Sequence, residues 1–93
     1  MNPLPTALSH HARARMQQRG IPDDRVERLL AFGCEMHARR GAVIVYFDRA
    51  ARNRARAHAV TPEELDRLRG VYLVITNGVV ATVGHRYRRV RRR

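Results

Sequence analysis

The chain has no lysine: all nineteen basic residues among its 93 are arginine, set against eight acidic side chains for a formal net charge of +11. Guanidinium forks match phosphate oxygens bidentately and stack on bases, so this composition points to nucleic acid over a small anionic metabolite. An all-arginine complement also arises from nucleotide bias in a genome, and then reports only non-specific attraction. Cysteine is almost missing, and Cys34 alone excludes an internal disulfide framework and agrees with a reducing compartment. No apolar run approaches the roughly 20 residues of a membrane span, and no basic-then-apolar signal pattern opens the chain. A cytoplasmic protein without a membrane partner is expected. The six glycines are scattered over helix ends and turns, which excludes a phosphate-cradling loop, so no nucleotide cofactor is expected. Cys34-x-x-His37 is half of a zinc spacing, with no second pair nearer than His10-His11, and no metal is expected. No repeat of solenoid length occurs.

What is present reads as one small α+β domain, an antiparallel sheet packed by helices, with a folded core over 8–87 and a basic tail over 88–93. Hydrophobic residues at 44% and charged residues at 29% fit a globular chain of this size. The order is two helix pairs, each followed by a hairpin. A capped helix opens after Ser9, with Leu8, Ala12 and Met16 on one stripe. Asp23 and Asp24 start a second helix whose apolar face is Val26, Leu29 and Leu30 and which Gly33 ends. Cys34–Arg39 and Ala42–Phe47 flank Arg40-Gly41 as a two-residue turn, pairing Met36 with Val45, Ala38 with Val43, His37 with Ile44 and Glu35 with Tyr46. That register sends Met36, Ala38, Val43, Val45 and Phe47 to the core.

Asp48 caps a third helix running to Ala59, in which Ala51, Ala55 and Ala59 recur every four residues and Arg49, Arg52 and Arg56 form a basic ridge. Thr61-Pro62-Glu63-Glu64 is a capping box with proline at the first helical position, Val60 stapling onto Leu65, and Gly70 closing the helix. Asn77-Gly78 between two apolar runs is the strongest hairpin signal, with Thr76 opposite Val79, Val74 opposite Ala81 and Tyr72 opposite Val83. His85 continues that face, and Leu73, Ile75, Val80 and Thr82 share the other. Both faces are largely apolar, so this hairpin is expected at the centre of the sheet, covered by helices on one side and partly by a partner or ligand on the other.

Chemistry concentrates in the opening helix. His11 and Arg15 lie four apart on the edge of the apolar stripe, half sheltered, with Gln18 just beyond, whereas His10, Arg13 and Gln17 point to solvent. Arg19 falls inside the stripe, where an arginine is commonly buried and bonded to chain carbonyls. Metal-free RNA cleavage needs a base for the 2′-hydroxyl proton, cations for the charge developing on phosphorus, and an acid for the leaving oxygen. His11 is a candidate base or acid, Arg15 a candidate phosphate clamp, and Thr82, His85 and Arg86 candidates to complete the site. Alternation sets Thr82 and Arg86 on one face and His85 on the other unless the strand bulges near Gly84. The structural alternative for His11 and Arg15 is a packing pair at a helix end.

His11-Ala12-x-x-Arg15-Met16-x-x-Arg19-Gly20-Ile21, with the later Thr82-Val83 strand end, resembles a widespread bacterial family of small domains of unknown function. That family is similar to the RelE-like, barnase/EndoU/colicin-type group of RNA-cleaving toxins. The resemblance covers residues 8–33 and 71–87, and the arginine–alanine helix with the capping box stands between them as an inserted helical segment. It implies a RelE-like toxin architecture, metal-independent endoribonuclease activity, a site at His11, Arg15 and the Thr82 strand end, and an acidic antitoxin protein as partner. His85 joins that site on the sequence alone. Arg86, Arg88, Arg89, Arg52 and Arg56 are the expected nucleic-acid contacts. The alternatives are a non-catalytic module binding RNA, DNA or an acidic protein, and an inert remnant whose arginines reflect genome bias.

Overall fold

Residues 7–85 are described in a computed structural model of the chain; Arg86, Arg88, Arg89 and the remainder of the tail lie outside the described residues. The fold is α+β, in the order β1 (Ala7–Leu8), α1 (His10–Arg19), α2 (Asp23–Phe32), β2 (Cys34–His37), β3 (Val43–Tyr46), α3 (Arg49–Ala57), α4 (Pro62–Arg69), β4 (Val71–Thr76) and β5 (Val79–His85). One five-stranded sheet runs β1-β5-β4-β3-β2, with β1 parallel to β5 and the other neighbours antiparallel. β4 is thus the central strand. Leu8, expected on the first helical stripe, instead pairs with Val80 in β1, and Ser9 N donates to the Val80 carbonyl at 3.0 Å.

The helix ends follow the local chemistry. The Ser9 hydroxyl accepts from Ala12 N at 3.0 Å and donates to the Ala81 carbonyl at 3.1 Å, so one side chain both caps α1 and fixes it to β5. α1 closes on Gly20 in the left-handed region (φ 64°), and Ile21 N reaches back to the Met16 carbonyl at 2.8 Å. Asp48 caps α3 through Ala51 N at 2.9 Å. α3 stops at Ala57, short of the expected Ala59, which takes a left-handed φ of 63° in the turn to α4. Thr61 accepts from Glu64 N at 3.3 Å, the first half of the capping box; the Glu64 carboxylate turns instead toward Arg28, 3.7 Å away.

All four helices pack on one face of the sheet. Ala12 and Met16 from α1, Val26 and Leu29 from α2, Ala51 and Ala55 from α3, and Leu65 and Leu68 from α4 join Val45, Phe47, Val71, Leu73, Val80 and Val83 in one buried cluster. Val60 is buried there as well, consistent with its place beside Leu65. Of the alternate positions along the strands, Ile44, Tyr72, Val74 and Thr82 are half buried and Tyr46 is buried.

The first hairpin departs from the expected register by one residue throughout, and the second keeps the expected Thr76–Val79 pair and departs only from Ala81 onward. In the first, the turn has three residues, Arg39–Gly41, with Arg40 (φ 61°) and Gly41 (φ 72°) both left-handed and Ala38 N bonded to the Ala42 carbonyl at 2.8 Å. The longer loop pairs Glu35 with Val45, Met36 with Ile44 and His37 with Val43. A one-residue slip exchanges faces. Val45 and Phe47 remain in the core, but Met36 moves to the half-buried face and Ala38 is exposed. In the second hairpin the pairs Thr76–Val79 and Ile75–Val80 form around Asn77-Gly78; a bulge beside Ala81 then sets Val74 opposite Thr82, Leu73 opposite Val83, Tyr72 opposite Gly84 and Val71 opposite His85. Thr82 therefore lies on the face with Tyr72 and Val74, and His85 on the helix-covered face with Val83.

Gly33 shows how closely helix and sheet approach. Its φ of −64° suits any residue, yet a Cβ there would collide with the Leu29 carbonyl oxygen and lie 2.7 Å from Val45 Cγ1. The carbonyl belongs to the last turn of α2 and cannot yield without breaking the Gly33 N bond to it at 2.7 Å. Gly33→Ala is expected to destabilise by about 3 kcal/mol, the upper range of overpacking. Thr61→Ala, which removes one exposed cap, should lose about 1 kcal/mol. Chemical denaturation of the two variants in parallel checks both, and a neutral Gly33→Ala would show that α2 and β3 have room to separate.

Candidate nucleic-acid interface

The site begins with α1, whose Ser9 cap fixes where the helix starts and hence which side chains flank its buried stripe. Ala12 is fully buried and Met16 5% exposed, which leaves His11, Arg15 and Arg19, spaced by four, on one side of the stripe. His11 is exposed, more open than expected, and Arg15 is half buried. The two touch: Arg15 Nε donates to His11 Nε2 at 3.5 Å. In that contact His11 Nε2 is the acceptor, so the ring proton sits on Nδ1. The bond is long and therefore weak. A phosphate oxygen offered to the guanidinium would displace it and leave Nε2 free to take a proton.

The other expected site residues lie elsewhere. His85 is half buried and its Nε2 donates to the Arg19 carbonyl at 3.3 Å, satisfying a carbonyl at the C-terminal end of α1. Eight residues, about 12 Å of helix rise, separate His11 from Arg19. Thr82 pairs with Val74 on the face of the sheet that the helices leave open. The structure thus brings His11 to Arg15, but sets His85 at the far end of α1 and Thr82 across the sheet.

Arg19 is the arginine that sequence pattern places in the apolar stripe. It is exposed overall, yet its Nη1 donates to the Val83 carbonyl at 3.5 Å, the chain-carbonyl bond expected of that position. β1 covers β5 only at Val79 and Val80, so the strand edge beyond is open to that side chain.

The ridge on α3 is divided. Arg49 and Arg56 are exposed, whereas Arg52 is half buried and lies 3.7 Å from Asp66. On the other flank Arg54 Nη2 donates to the Phe32 carbonyl at 2.8 Å and to Cys34 Sγ at 3.4 Å, while Cys34 Sγ donates to Asp48 Oδ1 at 2.7 Å. Cys34 and Arg54 thereby tie the start of β2 to α3. The sequence reading missed Arg54, although its position opposite the ridge on a helix with buried Ala51 and Ala55 marks it as facing α2. A cavity of about 90 Å³ between α2 and α4 is bordered by Asp24, Arg25, Arg28, Glu64 and Arg67 and includes none of the expected site residues.

Among the described residues no group of three or more histidine, cysteine or acidic side chains is placed to hold a metal ion, and no helix is long and apolar enough to cross a membrane. The ion pairs among them are Arg28–Glu64 and Arg52–Asp66, both at 3.7 Å and both partly exposed. Such pairs contribute little to stability. Most of the described arginines therefore face outward without a carboxylate in contact.

Residues 8–83 match the model of a protein family described as a domain of unknown function, DUF4258. No curated protein and no solved structure matches the chain.

His11 is exposed and Arg15 only half buried, so their loss should spare the fold. His11→Ala and Arg15→Ala are each expected to reduce stability by under ~2 kcal/mol, whereas Met16→Ala should lose roughly 2–5 kcal/mol. Thermal melts of the three variants test the separation; an Arg15→Ala protein unfolded at room temperature would make the pair structural.

Proposed function

The chain belongs to the DUF4258 family, and from its surface we propose that it is an RNA-directed protein that grips phosphates with arginine. The observation that carries this reading is the outward, largely unneutralised guanidinium surface on a compact core with no buried charged side chain among the described residues. Arginine in that setting attracts a polyanion through charge and orients it through forked hydrogen bonds. The His11–Arg15–Arg19 flank lines up along α1, supplemented by Arg49 and Arg56. The tail arginines Arg86, Arg88 and Arg89 add to the attraction by charge. An acidic protein partner, such as the antitoxin of a toxin pair, would compete for the same surface.

A second reading, a metal-independent endoribonuclease of the RelE-like toxin type, is favoured by one specific contact, the exposed histidine and arginine held side by side. In that chemistry His11 Nε2 takes the 2′-hydroxyl proton as the oxygen attacks phosphorus, and Arg15 shifts onto the phosphoryl oxygens. The leaving 5′-oxygen takes its proton from solvent, because neither His85 nor Thr82 is next to His11. One histidine with one arginine is a sparse set for two proton transfers. Binding is accordingly the first reading.

One experiment separates them. Labelled single-stranded RNA, incubated with the protein in chelator, should shift in a salt-dependent manner, with log affinity falling by about 0.7 per phosphate contact for each decade of salt. Arg15→Ala should weaken that binding and flatten the slope. Cleavage products that vanish with His11→Ala would establish the nuclease, and a shift without cleavage the binding module. Absence of any shift at low salt would refute both.

A further inference from the structure

The open face of the sheet carries a feature that the phosphate-gripping flank does not explain. Gly84 sits in β5 opposite Tyr72 and is buried, although strand interiors disfavour glycine. Its need is spatial. A Cβ at Gly84 would lie 2.7 Å from Arg19 Nη1, 2.8 Å from Tyr72 Cε1 and 2.9 Å from Tyr72 Cζ. The guanidinium and the phenol ring thus converge on the space a side chain would fill, one arriving around the open edge of β5 and the other from β4. A tyrosine ring and a guanidinium are brought together over Gly84.

The surroundings fit a nucleobase. Val71, Leu73 and Val83 are fully buried beneath the helices, whereas on the alternate positions Tyr72, Val74 and Thr82 are half buried and Tyr46, on the β3 side of Tyr72, is covered; none of these four belongs to the helix-side cluster. The result is an apolar platform with an aromatic ring at one end and positive charge on its border. Arg19 is also the last member of the line His11, Arg15, Arg19, so a strand held by its phosphates along α1 is led to Tyr72. Stacking on aromatic faces beside arginine is how single-stranded nucleic acid is held without sequence readout, and unstacked bases are free to enter such a platform.

We propose that Tyr72, Arg19 and the sheet surface over Gly84 form a stacking site for one base of a single-stranded RNA whose phosphates follow the α1 flank. This rests on the RNA-directed reading above. Tyr72 supplies the ring, Arg19 a planar cation beside it, and Gly84 the clearance that lets both lie low enough for a base to cover them.

The chain has three tyrosines and no tryptophan, and Tyr46 is 3% exposed, so in a Tyr87→Phe protein the emission that a bound base can quench by contact is that of Tyr72. Adding 2′-O-methyl oligouridine, which resists cleavage, should quench that emission in step with binding. Tyr72→Phe should bind as the parent does, and Tyr72→Leu should bind roughly ten- to hundredfold more weakly with the same salt slope. If the parent binds the oligonucleotide but its emission is unchanged, or Tyr72→Leu binds as tightly as the parent, the stacking site is wrong while the RNA-directed reading stands. Equal loss in the phenylalanine and leucine variants would likewise overturn it, since the ring survives in one of them. Displacement by poly-glutamate of matched charge as efficiently as by RNA would reassign the face to an acidic protein. A parent with no affinity for the oligonucleotide removes both readings together. The emission measurement needs no replacement of Tyr72, so it decides even if the leucine variant fails to fold.

Discussion

Close approach of backbones holds this molecule together. The buried cluster contains one phenylalanine and no tryptophan, and its helix contributions include Ala12, Ala51 and Ala55, each fully buried. Small side chains give less apolar area per residue, so contact must come from short distances between elements. Gly33 lets the end of α2 descend on β3, and Ala51 with Ala55 lets α3 close on α2 and α4. Were these positions larger, four helices could not share one face of a five-stranded sheet in a chain this short.

That economy on one face accounts for the character of the rest. With both faces of the sheet largely apolar, the arginines are left on the periphery, and among the described residues few meet a carboxylate. Exposed guanidiniums repel one another through solvent only weakly at physiological salt, because charges farther apart than about 8 Å are screened. A phosphate chain laid along α1 would relieve that repulsion and supply acceptors together. On the RNA-directed reading proposed above, this surface suits a ligand with repeated charge, whereas a single small anion would satisfy only a fraction of it.

Much of the architecture was legible because it depends on neighbours in sequence. Ser9, Asp48 and Thr61 cap helices through side-chain oxygens three residues from the amides they serve, and Asn77-Gly78 forms a turn within four residues. The order of helix pair and hairpin followed from these signals. The register did not, since it depends on loop geometry: Arg39–Gly41 closes with three residues where Arg40-Gly41 alone would suffice, and nothing in Ala81 announces a bulge. β1 was invisible because two residues carry no periodicity. The same division runs through the site. His11 and Arg15 meet because they are one helical turn apart, which spacing reveals. Thr82 and His85 were assigned to faces by counting along a strand, and one extra residue beside Ala81 reversed that count for everything after it.

The bond from Ser9 Oγ to the Ala81 carbonyl joins residues 72 apart in the chain, and β1 pairs with β5 across a similar span. Contacts of such separation form slowly, because the whole intervening loop must be ordered or restrained first. During synthesis the amphipathic stripe of α1 leaves the ribosome with its packing strand still unmade, and it waits through the translation of both helix pairs and the first hairpin. α1 is made ahead of α2, α3 and α4 and is among the last of them to be docked. Until β5 arrives, Ala12 and Met16 have no sheet to cover them, so the nascent chain presents an apolar stripe bordered by arginine to whatever lies near the exit site.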